Sequence, residues 1–215
     1  MDSYTRTLVI SGAQLPTPAR LLFTFGELTG EYNGVYPVIW KAVLFPPGNS
    51  PPSPPLIYNH QLAFSHPLVT NDIITDSSVF QIMSYGEKTA LQKDDKGNYS
   101  FSTPVQGQPA LLQALNRTGL DENLTLGFIP SPIPETAPTP TVFYDHVGDG
   151  SSLVIGPFSP KLYAYVTLQY EEGEIIRGKP ESSFIWEQDL GNLPIVSNWL
   201  LKFDPTKVQY SLVRA

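Results

Sequence analysis

Apolar and polar residues alternate over short stretches of this chain and seldom recur at helical spacing, which predicts strands joined by turns. Residues 6–10 and 21–25 are the first two such runs, parted by Pro16-Thr17-Pro18. Residues 35–45 (VYPVIWKAVLF) form the next, with Pro37 near the start where a strand tolerates it. Runs at 56–63, 68–70, 79–84 and 89–93 follow. Asp94-Asp95-Lys96-Gly97 then reads as a hairpin turn returning through Tyr99-Ser100-Phe101, because glycine supplies the positive φ such turns need. Later runs fall at 142–144, 152–155, 161–169, 173–177, 184–187, 199–203 and 208–213. Within them 162–168 (LYAYVTL) has the character of a central strand.

Two proline-rich stretches, 46–55 (PPGNSPPSPP) and 130–140, lack the N–H groups of a ladder and read as stiff exposed loops; the first also has the form of a polyproline ligand. One helix is expected, over about 109–118 within 108–119 (QPALLQALNRTG). Pro109 suits its first position and Gly119 a left-handed cap. The fold class expected is mainly β, an antiparallel β-sandwich forming a single β-rich unit over 1–215.

The chain also resembles itself. Leu91-Gln92-Lys93-Asp94 with Tyr99-Ser100-Phe101 matches Leu201-Lys202-Phe203-Asp204 with Tyr210-Ser211-Leu212, and Leu62-Ala63-Phe64-Ser65-His66-Pro67 is similar to Ile155-Gly156-Pro157-Phe158-Ser159-Pro160. These matches suggest two Greek-key-like halves, 1–105 and 120–215, joined by the helix. A ligand would sit between such halves, since pockets favour interfaces.

Composition narrows the function. The 215 residues carry 11 Tyr, 11 Phe and 3 Trp with 15% charged residues, a folding rather than a disordered composition. A formal charge of −7 without a basic stripe argues against nucleic acid. With no cysteine there is no disulfide, thiolate zinc site or thiol nucleophile. No apolar run is long enough for a membrane helix, and the start shows no cationic leader, so a cytoplasmic protein is expected. The sequons at Asn98, Asn116 and Asn123 are expected by chance in a chain of this composition. Nothing here excludes a homo-oligomer.

Among polar clusters, Asp145, His146 and Asp149 with their flanking glycines would suit a small hard cation, or simply a turn. His60 and His66 would share a face only if their strand continued past residue 63 to Pro67. The carboxylates at 171–174 and 187–189 suit glycoside chemistry only at the right separation, and solvated turns otherwise. No G-x-S-x-G elbow or phosphate-binding glycine loop occurs, so a non-enzymatic protein is expected. Aromatic residues remain. Trp40, Tyr85, Tyr144, Tyr163 and Trp186, with Trp199 and Tyr165, could line a slot for a flat conjugated molecule, although most such rings fill cores.

VIWKAVLF (38–45), LAFSHP (62–67) and IWEQDL (185–190) together resemble a small group of intracellular mushroom proteins, the pink-coloured chromoproteins of oyster mushrooms. The resemblance implies a noncovalently held indolone-type chromophore, a small aromatic partner and no catalysis; it transfers no ligand residues. The alternative is a fungal-type lectin or defence protein whose exposed rings stack on sugars beside Asp and Asn.

Overall fold

The computed structural model describes residues 4–130 and 136–215, so part of the second proline-rich stretch, 131–135, lies outside the described residues. The first half contributes strands β1 (Thr5–Leu15), β2 (Ala19–Phe25), β3 (Val35–Pro37), β4 (Lys41–Phe45), β5 (Gly48–Ser50), β6 (Leu56–Asn59), β7 (Leu62–Thr70), β8 (Ile73–Met83), β9 (Glu87–Lys93) and β10 (Tyr99–Phe101). The second contributes β11 (Val105–Gln106), β12 (Leu112–Arg117), β13 (Glu122–Phe128), β14 (Thr139–Val147), β15 (Ser152–Ile155), β16 (Lys161–Val166), β17 (Trp186–Asp189), β18 (Val196–Asp204) and β19 (Gln209–Arg214). The mainly-β expectation is met.

The expected helix is not formed. Residues 112–117 are strand β12, seated between β9, which it meets in parallel, and β15, which it meets antiparallel. Leu112, Ala114 and Asn116 point inward and Gln113, Leu115 and Arg117 outward. Helix propensity is a weak preference that a vacant place between two strands readily overrides. Pro109 and Ala110 belong to the turn before it, with Leu111 N–H donating to Gln108 O at 3.2 Å. Asn116 is fully buried, and its side-chain amide donates to Leu120 O and Val147 O, both at 2.7 Å, which rules out a glycan there.

The expected strand 35–45 is divided. β3 joins β14, β4 joins β2, and between them Val38, Ile39 and Trp40 cross the interior, each buried. Residues 173–177 make only isolated bridges, Val38 with Ile175 and Ile73 with Glu174. The first proline-rich stretch yields a short strand, β5, beside β1. Its Pro51, Pro52, Pro54 and Pro55 are exposed.

The sheets come in matched pairs. One has the order β19-β18-β1 with β5 and β6 beyond; another has the order β10-β9-β12-β15. In both, a hairpin runs parallel to a strand from elsewhere in the chain, and that strand is flanked antiparallel on its other side. The sheets β17-β16-β2-β4 and β8-β7-β13-β14, the latter extended by β3, correspond in the same way. Each sheet therefore mixes strands from before and after residue 107. The likeness of residues 91–101 to 201–212 falls on corresponding hairpins. The likeness of 62–67 to 155–160 does not, because β7 corresponds to β16.

The first and third of these sheets close on each other as one sandwich, with Trp186 of β17 edge-on to Trp199 of β18 at 4.9 Å. The second and fourth close as the other, with His66 of β7 stacked on Tyr99 of β10 at 4.1 Å. Inner faces of all four sheets share one continuous apolar core.

Candidate functional site

The sandwiches meet through four rings. Phe25 at the end of β2 and Phe128 at the end of β13 hold corresponding positions, opposite Leu162 and Leu62 respectively, with ring centres 4.8 Å apart. Tyr58 touches both, at 5.6 and 4.7 Å, and Phe158 touches both from its own side, at 5.8 and 5.2 Å. Edge-on and tilted contacts at these distances are the favoured aromatic geometry.

Around this quartet the two sides differ, and the sequence explains why. The β1–β6 ladder runs from Leu8 opposite Leu56 out to Thr5 opposite Asn59. Its counterpart, β12 with β15, stops at Leu112 opposite Ile155. Gly156-Pro157-Phe158-Ser159-Pro160 follows, and its two prolines have no N–H with which to extend a ladder. The Phe158 N–H is taken instead by the Tyr85 hydroxyl at 2.6 Å. On the ladder side Tyr58 is fully buried, its hydroxyl meets His60 Nδ1 at 2.5 Å, and Tyr4 stacks on His60 at 4.9 Å. Burial pushes the Tyr58 hydroxyl far above its ordinary pKa, so it stays protonated beside His60.

On the proline side a groove of about 410 Å³ opens. Phe25, Phe158, Ile155 and Pro157 form an apolar floor; Lys161 and Tyr163 stand at the rim. Gly26 completes it with φ of +122°, a conformation reserved for glycine, and a Cβ there would meet nothing within 4 Å. Lys161 Nζ lies 2.8 Å from Glu187 Oε2 and 5.2 Å from the Tyr163 ring centre, and these partners raise its pKa, keeping it cationic.

Of the ring residues singled out in the sequence, three bear on this groove. Tyr163 lines it, Tyr85 holds Phe158 in place, and Trp40, buried, backs Phe25 edge-on at 5.1 Å. Four do not lie there: Trp199 on β18, Tyr165, whose hydroxyl accepts from the Leu28 N–H at 2.9 Å, Trp186 and Tyr144. Trp186 packs between the sheets of its own sandwich against Trp199 and Phe23. Tyr144 sits on β14 against the core, where burial raises its hydroxyl pKa. Sequence reading missed Phe25, Phe158 and Lys161; the signal was an aromatic residue bracketed by Pro157 and Pro160, which breaks a strand and presents the ring.

Asp145, His146 and Asp149 do not assemble as a cation site. Asp145 Oδ2 accepts from Arg177 at 3.0 Å, Asp149 Oδ1 accepts from the Gly119 N–H at 3.0 Å, and His146 is exposed. Among the described residues no group of three or more His, Asp or Glu could hold a metal ion. The turn chemistry of Asp-Gly governs this segment. Strand β7 does continue through Pro67, with a shift of register at His66, but His60 and His66 do not converge. His60 pairs with Tyr58, and His66 with Glu122 at 3.0 Å, which also accepts from Tyr99 at 2.8 Å. Glu172 and Glu187 are paired with Lys41 and Lys161.

No helix among the described residues is long and apolar enough to cross a membrane. In comparisons with known proteins no family model, no curated protein and no solved structure matches the chain.

Proposed function

We propose that this protein binds, without catalysis, a small planar aromatic molecule in the groove between its two sandwiches, in a cytoplasmic setting. The observation that carries the reading is the one-sided quartet: the same four rings are closed over by Tyr4 and His60 on the ladder side and left open beside Phe158. A flat guest would lie against Phe25 and Phe158, losing apolar surface from water, while Lys161 and the Tyr163 hydroxyl offer donors to a carbonyl on its edge. An indolone-type chromophore has this shape and this carbonyl. With no cysteine in the chain, a thioether link is unavailable and attachment is noncovalent.

The test is an absorption spectrum, from near ultraviolet to red, of protein purified from its native source. A visible band that disappears on denaturation supports the reading; a colourless native protein that also fails to take up extracted pigment defeats it.

A carbohydrate-binding reading has its own support. A second groove is lined by Glu27, Lys179, Glu181, Ser182 and the exposed ring of Phe184, and the buried Ser182 Oγ has no hydrogen-bond partner there. Rings beside acids and hydroxyls suit a sugar. A glycan array positive for colourless protein, abolished by Phe184→Ala, would favour it.

A further inference from the structure

The outer face of the sheet β10-β9-β12-β15 carries a third cavity, about 230 Å³, whose chemistry differs from both grooves. Lys88 lies opposite Gln113 and Ala90 opposite Leu115, so Lys88, Ala90, Gln113, Leu115 and Arg117 project from one face of two adjacent strands. Ala90, Leu115 and the half-exposed Val105 make an apolar floor, and the two cations stand at its ends.

No carboxylate lines this cavity. Neither Lys88 nor Arg117 makes an ion pair among the described residues, although the chain carries 20 acids against 13 bases. The corresponding outer face of the other sandwich is built differently: aligning Leu91 with Leu201 sets Asn198 in the place of Lys88 and Ala13 in that of Arg117, with Lys202 alone at the place of Gln92. Unpaired cations flanking an apolar floor are thus particular to one sandwich.

We infer that this face is a binding site for a small organic anion, a carboxylate with a short apolar body. The head group would sit on the Arg117 guanidinium, whose fork suits a carboxylate, the hydrocarbon would cover Ala90, Leu115 and Val105, and the Lys88 ammonium at the other end would add longer-range attraction. Attraction in a site this open is modest and weakened by salt.

Titration of ¹⁵N-labelled full-length protein with hexanoate, hexylammonium and inorganic phosphate tests this. Hexanoate should move the amides of residues 88–90 and 113–117 saturably and less strongly at higher ionic strength. Hexylammonium should leave them in place, and phosphate should bind at least about tenfold more weakly than hexanoate for lack of an apolar body. The double variant Lys88→Ala, Arg117→Ala alters only exposed side chains and should retain the wild-type circular dichroism while losing at least about tenfold in hexanoate affinity. Equal shifts from hexanoate and hexylammonium, phosphate binding as tight as hexanoate, no saturable shift, or a folded double variant with unchanged affinity would each overturn the inference.

Discussion

Phe25 and Phe128 hold corresponding places at the ends of β2 and β13 and meet with their ring centres 4.8 Å apart, one from each sandwich. Both are buried in the shared core. Truncating either to alanine removes a ring from the junction and should cost about 3–5 kcal/mol in denaturant unfolding. Only Phe25 also lines the groove, so Phe25→Ala should lose aromatic-ligand affinity, whereas Phe128→Ala should retain it in the folded fraction.

Asn116 is a buried polar residue whose amide holds Leu120 O and Val147 O and whose Oδ1 accepts from the Thr118 N–H at 3.1 Å. Asn116→Ala leaves those groups buried without partners and should destabilise by about 2–3 kcal/mol. Thermal and urea melts would measure it.

The same strand shows what was legible in the sequence and what was not. Period-two patterning identified most strands, and the hairpin at Asp94–Gly97 forms as read, with Tyr99 opposite Lys93 and Gly97 at φ +87°. Residues 108–119 misled because Ala, Leu and Gln favour helices locally, while the space between β9 and β15 is a tertiary fact absent from any window. Trp186 and Tyr144 lie away from the groove, which their identity could not reveal, because a ring that lines a groove and a ring that fills a core carry the same letter. Phe158 was missed because its importance depends on a ladder that ends at Ile155 on one side and continues to Asn59 on the other.

His60 introduces a pH dependence. Burial lowers its pKa below the ordinary 6.5, so the unfolded chain binds the proton more readily than the folded one. Its contribution to stability is full above the unfolded value and is lost as pH falls from there through the folded value. His60→Gln should flatten the fall in stability between neutral and mildly acidic pH, measured as urea midpoints; an unaltered slope would show that His60 plays no part in it.

Arg177 binds Asp72 at 2.7 Å and Asp145 at 3.0 Å, and lies over the Tyr36 ring at 4.7 Å. The Asp72 hydrogen bond, more than any other partner, raises its pKa and keeps it charged. It fastens residues 173–177, which have only isolated bridges, to the neighbouring sheet. Because Arg177 and Asp72 are both partly exposed, Arg177→Ala should cost only about 1 kcal/mol globally. Hydrogen exchange should nevertheless quicken at Ile175 and Ile176. Arg177→Lys should restore little, lacking the fork that reaches both carboxylates.

The groove beside Phe158 is tested most directly by mapping amide shifts during titration with indole-2,3-dione. Saturable movement centred on Gly26, Gly156, Phe158, Ser159 and Tyr163, abolished by Phe158→Ala in a protein that still folds, is the expected result. Movement centred elsewhere, or none up to the solubility of the dione, would contradict the account.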